Sequence, residues 1–169
     1  MRTLFSALIF VVGSLVVVAG QLQTGLEAED LLPRLFPDAA SFSGKENNPP
    51  HYKAFDAGGE VIGFAYWTTE LEPLERGFDG PIKVFVGMDT DLVLRGIVVT
   101  EHREPYGDFS VDLPVFAGQF DAKDVRDPFR YGSDVDAISR ATMSVTSVSR
   151  AIRNSSRRVA RALLAPPSR

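Results

Sequence analysis

The chain has 169 residues, a net charge of −4, 44% hydrophobic residues and no cysteine. Without cysteine there are no disulfides, thiolate nucleophiles or cysteine-ligated iron–sulfur centres. Twelve phenylalanines and the apolar content exclude a disordered chain, and two distant histidines, His51 and His102, give no ligand spacing for a metal.

In chain order, Leu4 to Gly20 is a 17-residue run without charge behind Arg2. It is at the short end for a membrane span and longer than the usual core of a signal peptide. Val18-Ala19-Gly20 closes it with small residues, so an uncleaved anchor and a cleaved signal both stay open. Arg2 precedes the run and acidic Glu27, Glu29 and Asp30 follow it, an asymmetry that puts the rest of the chain outside the cytoplasmic membrane. The expected organisation is a hydrophobic anchor or signal over residues 1–23, one domain over 24–165 and a short tail over 166–169.

Leu26 to Phe36 reads as a short helix with an apolar stripe of Leu31, Leu32, Leu35 and Phe36, interrupted by Pro33 and ended by Pro37. Phe42 to Pro50 reads as loop. The period then changes to two. Tyr52–Phe55 and Val61–Trp67 flank a hairpin turn at Asp56–Glu60, and Ile82–Val86 and Leu92–Thr100 flank a second turn at Gly87–Asp91. Leu71–Gly80 connects the two hairpins. Phe109–Phe120 predicts a short helix or broken turn around Pro114. Asp121–Asp134 is turn-rich, with Val125, Phe129 and Tyr131 packing inward. After Thr142, Val145, Val148, Ile152, Val159 and Leu163 recur at helical spacing, with arginines on much of the other face, until Pro166-Pro167. The predicted fold is α+β: a mainly antiparallel sheet of about four strands covered by N- and C-terminal helices.

Two stretches carry chemistry. One is Asp136-Ala137-Ile138-Ser139-Arg140-Ala141-Thr142, and the other is Glu101-His102-Arg103-Glu104-Pro105 at a strand exit. Together they resemble the FMN-binding domain family, over roughly residues 25 to 163. That family includes flavin domains of sodium-pumping and related quinone oxidoreductases and of the nitrous-oxide-respiration membrane flavoprotein. Its pattern is Asp, two variable residues, Ser or Thr, usually Gly, then Ala-Thr. The resemblance implies that a flavin transferase joins FMN through its phosphate to the hydroxyl of Thr142. It also implies that Ser139 and Ala141 surround the linkage, that Asp136 assists the transferase, and that His102 and Glu104 lie near the flavin edge. Gly107 would let the backbone approach the ring system.

A phosphoester needs a hydroxyl, and the β-branch of threonine restricts how an attached group swings. Alternation along a strand would point His102 and Glu104 into one pocket. Arg140 departs from the family glycine: it resists a conformation that glycine permits, yet it offers a guanidinium fork to phosphate. Tyr66 and Trp67 end a strand and either stack near a cofactor or close the core. Thr142 would begin the last helix, where free N–H groups favour an anion.

The resemblance implies an extracytoplasmic electron-transfer flavoprotein module with covalent FMN on Thr142, working with a membrane quinone or flavoprotein partner and not as a stand-alone catalyst. The alternatives are a flavin-free binding or regulatory module and a noncovalent FMN sensor. No nucleophile elbow, dinucleotide fingerprint or phosphate loop occurs, and no nucleic-acid motif accompanies the arginines.

Overall fold

A computed structural model describes residues 27–107, 110–136 and 141–164. The apolar segment Leu4–Gly20, the motif residues Ser139 and Arg140, and the tail all lie outside these. Among the described residues no helix is long and apolar enough to cross a membrane.

Helix α1 spans Ala28–Leu35, with Glu29 and Asp30 in its first turn, where acidic side chains suit the unpaired N–H groups. Pro33 lies inside it. Strands β1 (Ser41–Phe42) and β2 (Glu46–Asn47) are two residues each, and both pair with β3 (Pro50–Phe55). β3 returns as β4 (Val61–Trp67) through a turn in which the Asp56 carboxylate accepts N–H bonds from Gly58 and Glu60. Helix α2 (Thr68–Leu71) follows directly, and a loop leads to β5 (Lys83–Asp89) and β6 (Leu94–Glu101). Helix α3 (Pro114–Gly118) starts with Pro114 in its first turn, a position needing no N–H, and α4 (Thr142–Leu163) ends the described chain.

All the strand pairs are antiparallel in a six-stranded sheet ordered β1-β3-β4-β5-β6, with β2 paired to β3 off that path. Three points differ from the sequence reading. The sheet has six strands instead of about four, because β1 and β2 are too short to show a period. β5 continues through Gly87 and Met88, so the second turn lies at Asp89–Val93, where the Asp89 carboxylate accepts from Asp91 and Val93. The stretch directly after Trp67, for which no element was expected, forms α2 up to Leu71, the first residue of the expected connection.

The sheet is buried on both faces. Ala54, Ala65, Trp67 and Phe85 face α1, packing with Leu31, Leu32, Leu35 and Phe36. Phe64, Tyr66, Val84, Val86 and Met88 face the other way, onto Val145, Val148, Ile152 and Val159 of α4 and Phe116 of α3. The alternation within β4 and β5 is what sorts these side chains into two cores. Tyr66 and Trp67 therefore close the core. Tyr66 is fully buried, its hydroxyl donates to Ser156, and burial pushes its phenol pKa up. Trp67 packs on Phe85 at 4.5 Å between ring centroids.

α4 buries more serine than its hydrophobic pattern suggests. Ser149, Ser155 and Ser156 are fully buried and donate to carbonyls one turn back, at Val145, Ala151 and Ile152. Its arginines are not simply solvated. Arg157 donates to the carbonyls of Val125, Arg126 and Asp127, Arg158 donates to Leu71, and Arg150 pairs with Glu75 at 2.7 Å. α4 thus ties the 125–127 loop and the end of α2 to the sheet. Ile152 is fully buried in this joint. Ile152→Ala is expected to cost about 2–5 kcal/mol through lost burial and the cavity left behind, measured by urea denaturation.

Candidate functional site

Thr142 is the first residue of α4, after Ala141, and is exposed, while Ala141 and Ser144 on either side are buried. Thr142, Ala141, Met143 and Ser144 form one wall of a cavity of about 270 Å3, completed by Phe78, Glu104, Pro105 and Tyr106. Among the described residues only five large hydrophobic side chains are exposed, and three of them, Phe78, Tyr106 and Met143, line this cavity. Apolar surface gathered around a cleft in this way marks a ligand or partner site more often than scattered exposure does.

The cavity is held open by Glu104. Its side chain is buried, with 7% of the residue exposed, and its carboxylate accepts from the backbone N–H of Phe78 at 3.0 Å and of Asp79 at 3.1 Å. The Ser144 hydroxyl donates to the same group. One carboxylate therefore joins the 77–80 loop, the 102–107 loop and the first turn of α4. Gly77 makes this approach possible: a Cβ there would lie 2.4 Å from Glu104 Oε1 and 2.7 Å from its carboxyl carbon.

His102 and Glu104 do not share a pocket. β6 ends at Glu101, so both lie beyond the strand and its alternation no longer orients them. His102 Nδ1 accepts from the Glu104 N–H at 3.1 Å, and Nε2 faces the Asp112 carboxylate at 2.8 and 2.9 Å. With Nδ1 accepting, the ring donates from Nε2 to Asp112. Gly107 packs against this ring, where a Cβ would meet His102 Cε1 at 2.0 Å. The glycine thus serves the histidine's packing and does not line the cavity. Asp136 is exposed, and its backbone N–H donates to the Gln119 side chain at 2.6 Å.

Thr142 Oγ1 donates to the hydroxyl of Tyr131, a residue outside the cavity lining, at 3.2 Å. Tyr131 sits in a loop braced by Asp134. Asp134 Oδ1 accepts from Arg130 N–H at 2.6 Å, Oδ2 accepts from Phe129 N–H at 2.9 Å, and Lys123 pairs with it at 3.0 Å. Those bonds hold buried Phe129 at a φ of 50°, a conformation that side chains other than glycine seldom adopt. Burial works to raise the Asp134 pKa. The N–H of Arg130, the Lys123 side chain and the N–H of Phe129 outweigh it, leaving the carboxyl below its ordinary value.

The sequence singled out Thr142, Ala141 and Glu104 of the cavity wall. It missed Ser144, Gly77, Phe78 and Met143 as site residues, and Tyr131 as a partner of Thr142. Only Met143 and Ser144, adjoining the motif, carried any signal that could have found them.

Compared with known proteins, residues 77–156 match the FMN-binding domain family. The match takes in Gly77, Glu104, Tyr131 and Thr142, and leaves α1 and the first four strands outside it. No curated protein matches the chain. Among solved structures it is similar to the crystal structure of Shewanella oneidensis NqrC, at 24% identity and a TM-score of 0.48 over 69% of this chain. The similarity spans 63% of that protein's chain.

Two outcomes follow from this geometry. Gly77→Ala should destabilise the fold by about 1–3 kcal/mol, because the methyl group displaces a buried carboxylate from its donors; chemical denaturation measures it. Asp134 has a folded pKa below its ordinary 3.8, so its stabilisation is fully present above that value and is lost as pH falls through the folded pKa. The urea midpoint of the wild type should exceed that of Asp134→Asn at neutral pH, and the gap should close in acid.

Proposed function

We propose that this chain is an extracytoplasmic electron-transfer module carrying FMN covalently, as a phosphoester on Thr142. The observation that supports it most is the placement of an exposed threonine hydroxyl on the rim of an apolar cavity edged by Phe78, Tyr106 and Met143. A flat, largely apolar ring system suits such a lining, while a phosphate suits the hydroxyl-bearing rim. The residues present therefore fit the group: Thr142 would carry it, and Phe78, Tyr106, Met143 and Pro105 would shelter its ring system.

Bound FMN supplies reversible electron transfer, and the chain's own residues supply binding, orientation and exclusion of water. Glu104 acts on this through position. Its bonds to the Phe78 and Asp79 N–H groups and to Ser144 fix one wall of the cavity relative to the threonine. Buried and already engaged by three donors, its side chain serves in this reading to position the wall. Among the described residues of the site no nucleophile stands paired with a base, an arrangement that suits a redox relay.

The same reading assigns maturation to a flavin transferase and electron exchange to a membrane quinone or flavoprotein partner. The run Leu4–Gly20 would tether the domain to the cytoplasmic membrane, or export it as a cleaved signal.

Intact-mass analysis of protein matured with a flavin transferase should show one added FMN less one water, on the proteolytic peptide containing Thr142. Thr142→Ala should abolish the adduct while changing stability by no more than about 1 kcal/mol, since only an exposed hydroxyl contact is lost. A colourless wild-type protein after exposure to the transferase, or flavin attached at Ser144 or Thr146 with Thr142 bare, would overturn the assignment. Flavin released entirely on denaturation would show noncovalent binding instead.

A further inference from the structure

We infer that Tyr131 is the phosphate-side partner of Thr142: its phenol orients the acceptor hydroxyl before flavin attachment and donates to the phosphodiester afterwards. This rests on the flavin reading above. It is carried by the contact between Thr142 Oγ1 and Tyr131 Oη at 3.2 Å, the one side-chain partner of that hydroxyl among the described residues.

The placement of the phenol is built, not incidental. Tyr131 is half-buried, with its ring packed against the core shared by α3 and α4. Its backbone forms a bridge with Val135, and Gly132 N–H donates to the Val135 carbonyl at 2.8 Å. Asp134 braces the same loop from below through Phe129, Arg130 and Lys123. Tyr131 contributes nothing to the apolar cavity, whose lining stops at Ala141, Thr142, Met143 and Ser144 on this side. Thr142 therefore belongs to the apolar wall while its hydroxyl contacts a phenol that does not.

The chemistry of attachment gives that hydroxyl two roles in sequence. The co-reactant is a flavin dinucleotide. Thr142 Oγ1 forms a bond to the flavin-side phosphorus while the phosphorus–oxygen bond to the nucleotide leaving group breaks. The leaving group departs with the electron pair, and the threonine proton passes to the transferase or to water. Before this step Oγ1 donates to the phenol oxygen, which holds the threonine side chain in one rotamer. After it, Oγ1 has no proton. The phenol then turns its own O–H towards the ester or phosphoryl oxygens, because a tyrosine hydroxyl both donates and accepts. A phenylalanine fills the same space and does neither.

The test uses the full chain, a flavin transferase and a flavin dinucleotide, with Tyr131→Phe and Tyr131→His beside the wild type. Tyr131→Phe should still label on Thr142, with an initial rate about 3–10-fold lower, the size expected for one lost hydrogen bond. Its phosphodiester 31P resonance should be displaced from that of labelled wild type, and Tyr131→His should recover part of both effects. A second measurement needs no substitution at 131. The 13Cζ resonance of site-specifically labelled Tyr131 should move when flavin is attached, and stay fixed in Thr142→Ala treated identically.

Wild-type labelling with an unchanged rate and 31P resonance in Tyr131→Phe overturns the inference and leaves the flavin reading standing. An unmoved Tyr131 13Cζ resonance on attachment overturns it equally, even where Tyr131→Phe folds poorly. A wild type that takes no flavin at Thr142 fails both.

Discussion

One buried carboxylate decides the shape of the site. Glu104 receives N–H bonds from Phe78 and Asp79 and the hydroxyl of Ser144, so three segments far apart in sequence meet at a single anion. A carboxylate removed from water is costly unless its lone pairs are taken up, and these donors take them up. The gap left by Gly77 is equally necessary, since any side chain there would occupy the volume of the carboxyl group. Phe78 lines the cavity because its own backbone is pinned to Glu104. The position of the first turn of α4, and with it Thr142, follows from the bond to Ser144.

Beneath this knot lies a sheet covered on both sides, by α1 on one face and by α3 and α4 on the other. The matched family region begins at Gly77, so the whole Glu104 cluster falls inside it, whereas α1 and all the buried residues of its core except Phe85 lie outside. The segment before the matched region supplies α1 and four strands of the sheet. Every residue that lines the cavity comes from Phe78 onward.

Much of the fold was legible because its elements carry their own periods. The stripe of Leu31, Leu32 and Leu35 marks α1, alternation marks β3 to β6, and Val145, Val148 and Ile152 mark α4. β1 and β2 were not legible, being two residues each and defined only by pairing with β3. The site was legible in part. Thr142 stands in a local motif that can be read directly. Glu104 was recognised as a chemical group, but its donors lie 25, 26 and 40 residues away, and no local pattern encodes such meetings. His102 was misoriented for a simple reason: the chain leaves the strand one residue before it, and Asp112 then captures the ring.

The arginines of α4 have a consequence for how the domain responds to its medium. Arg157 and Arg158 spend their N–H groups on the neutral carbonyls of Val125, Arg126, Asp127 and Leu71, whereas Arg150 is matched by the carboxylate of Glu75. Added salt screens the attraction in the exposed Arg150–Glu75 pair but acts far less on a hydrogen bond to a carbonyl. The joint between helix and loops is therefore tolerant of ionic strength. Those carbonyls carry no net charge, so Arg157 and Arg158 keep theirs, in a surface groove that they share with Arg161 and the carboxylate of Glu72. The strength of the joint and the charge displayed on it are thereby separated within one row of side chains.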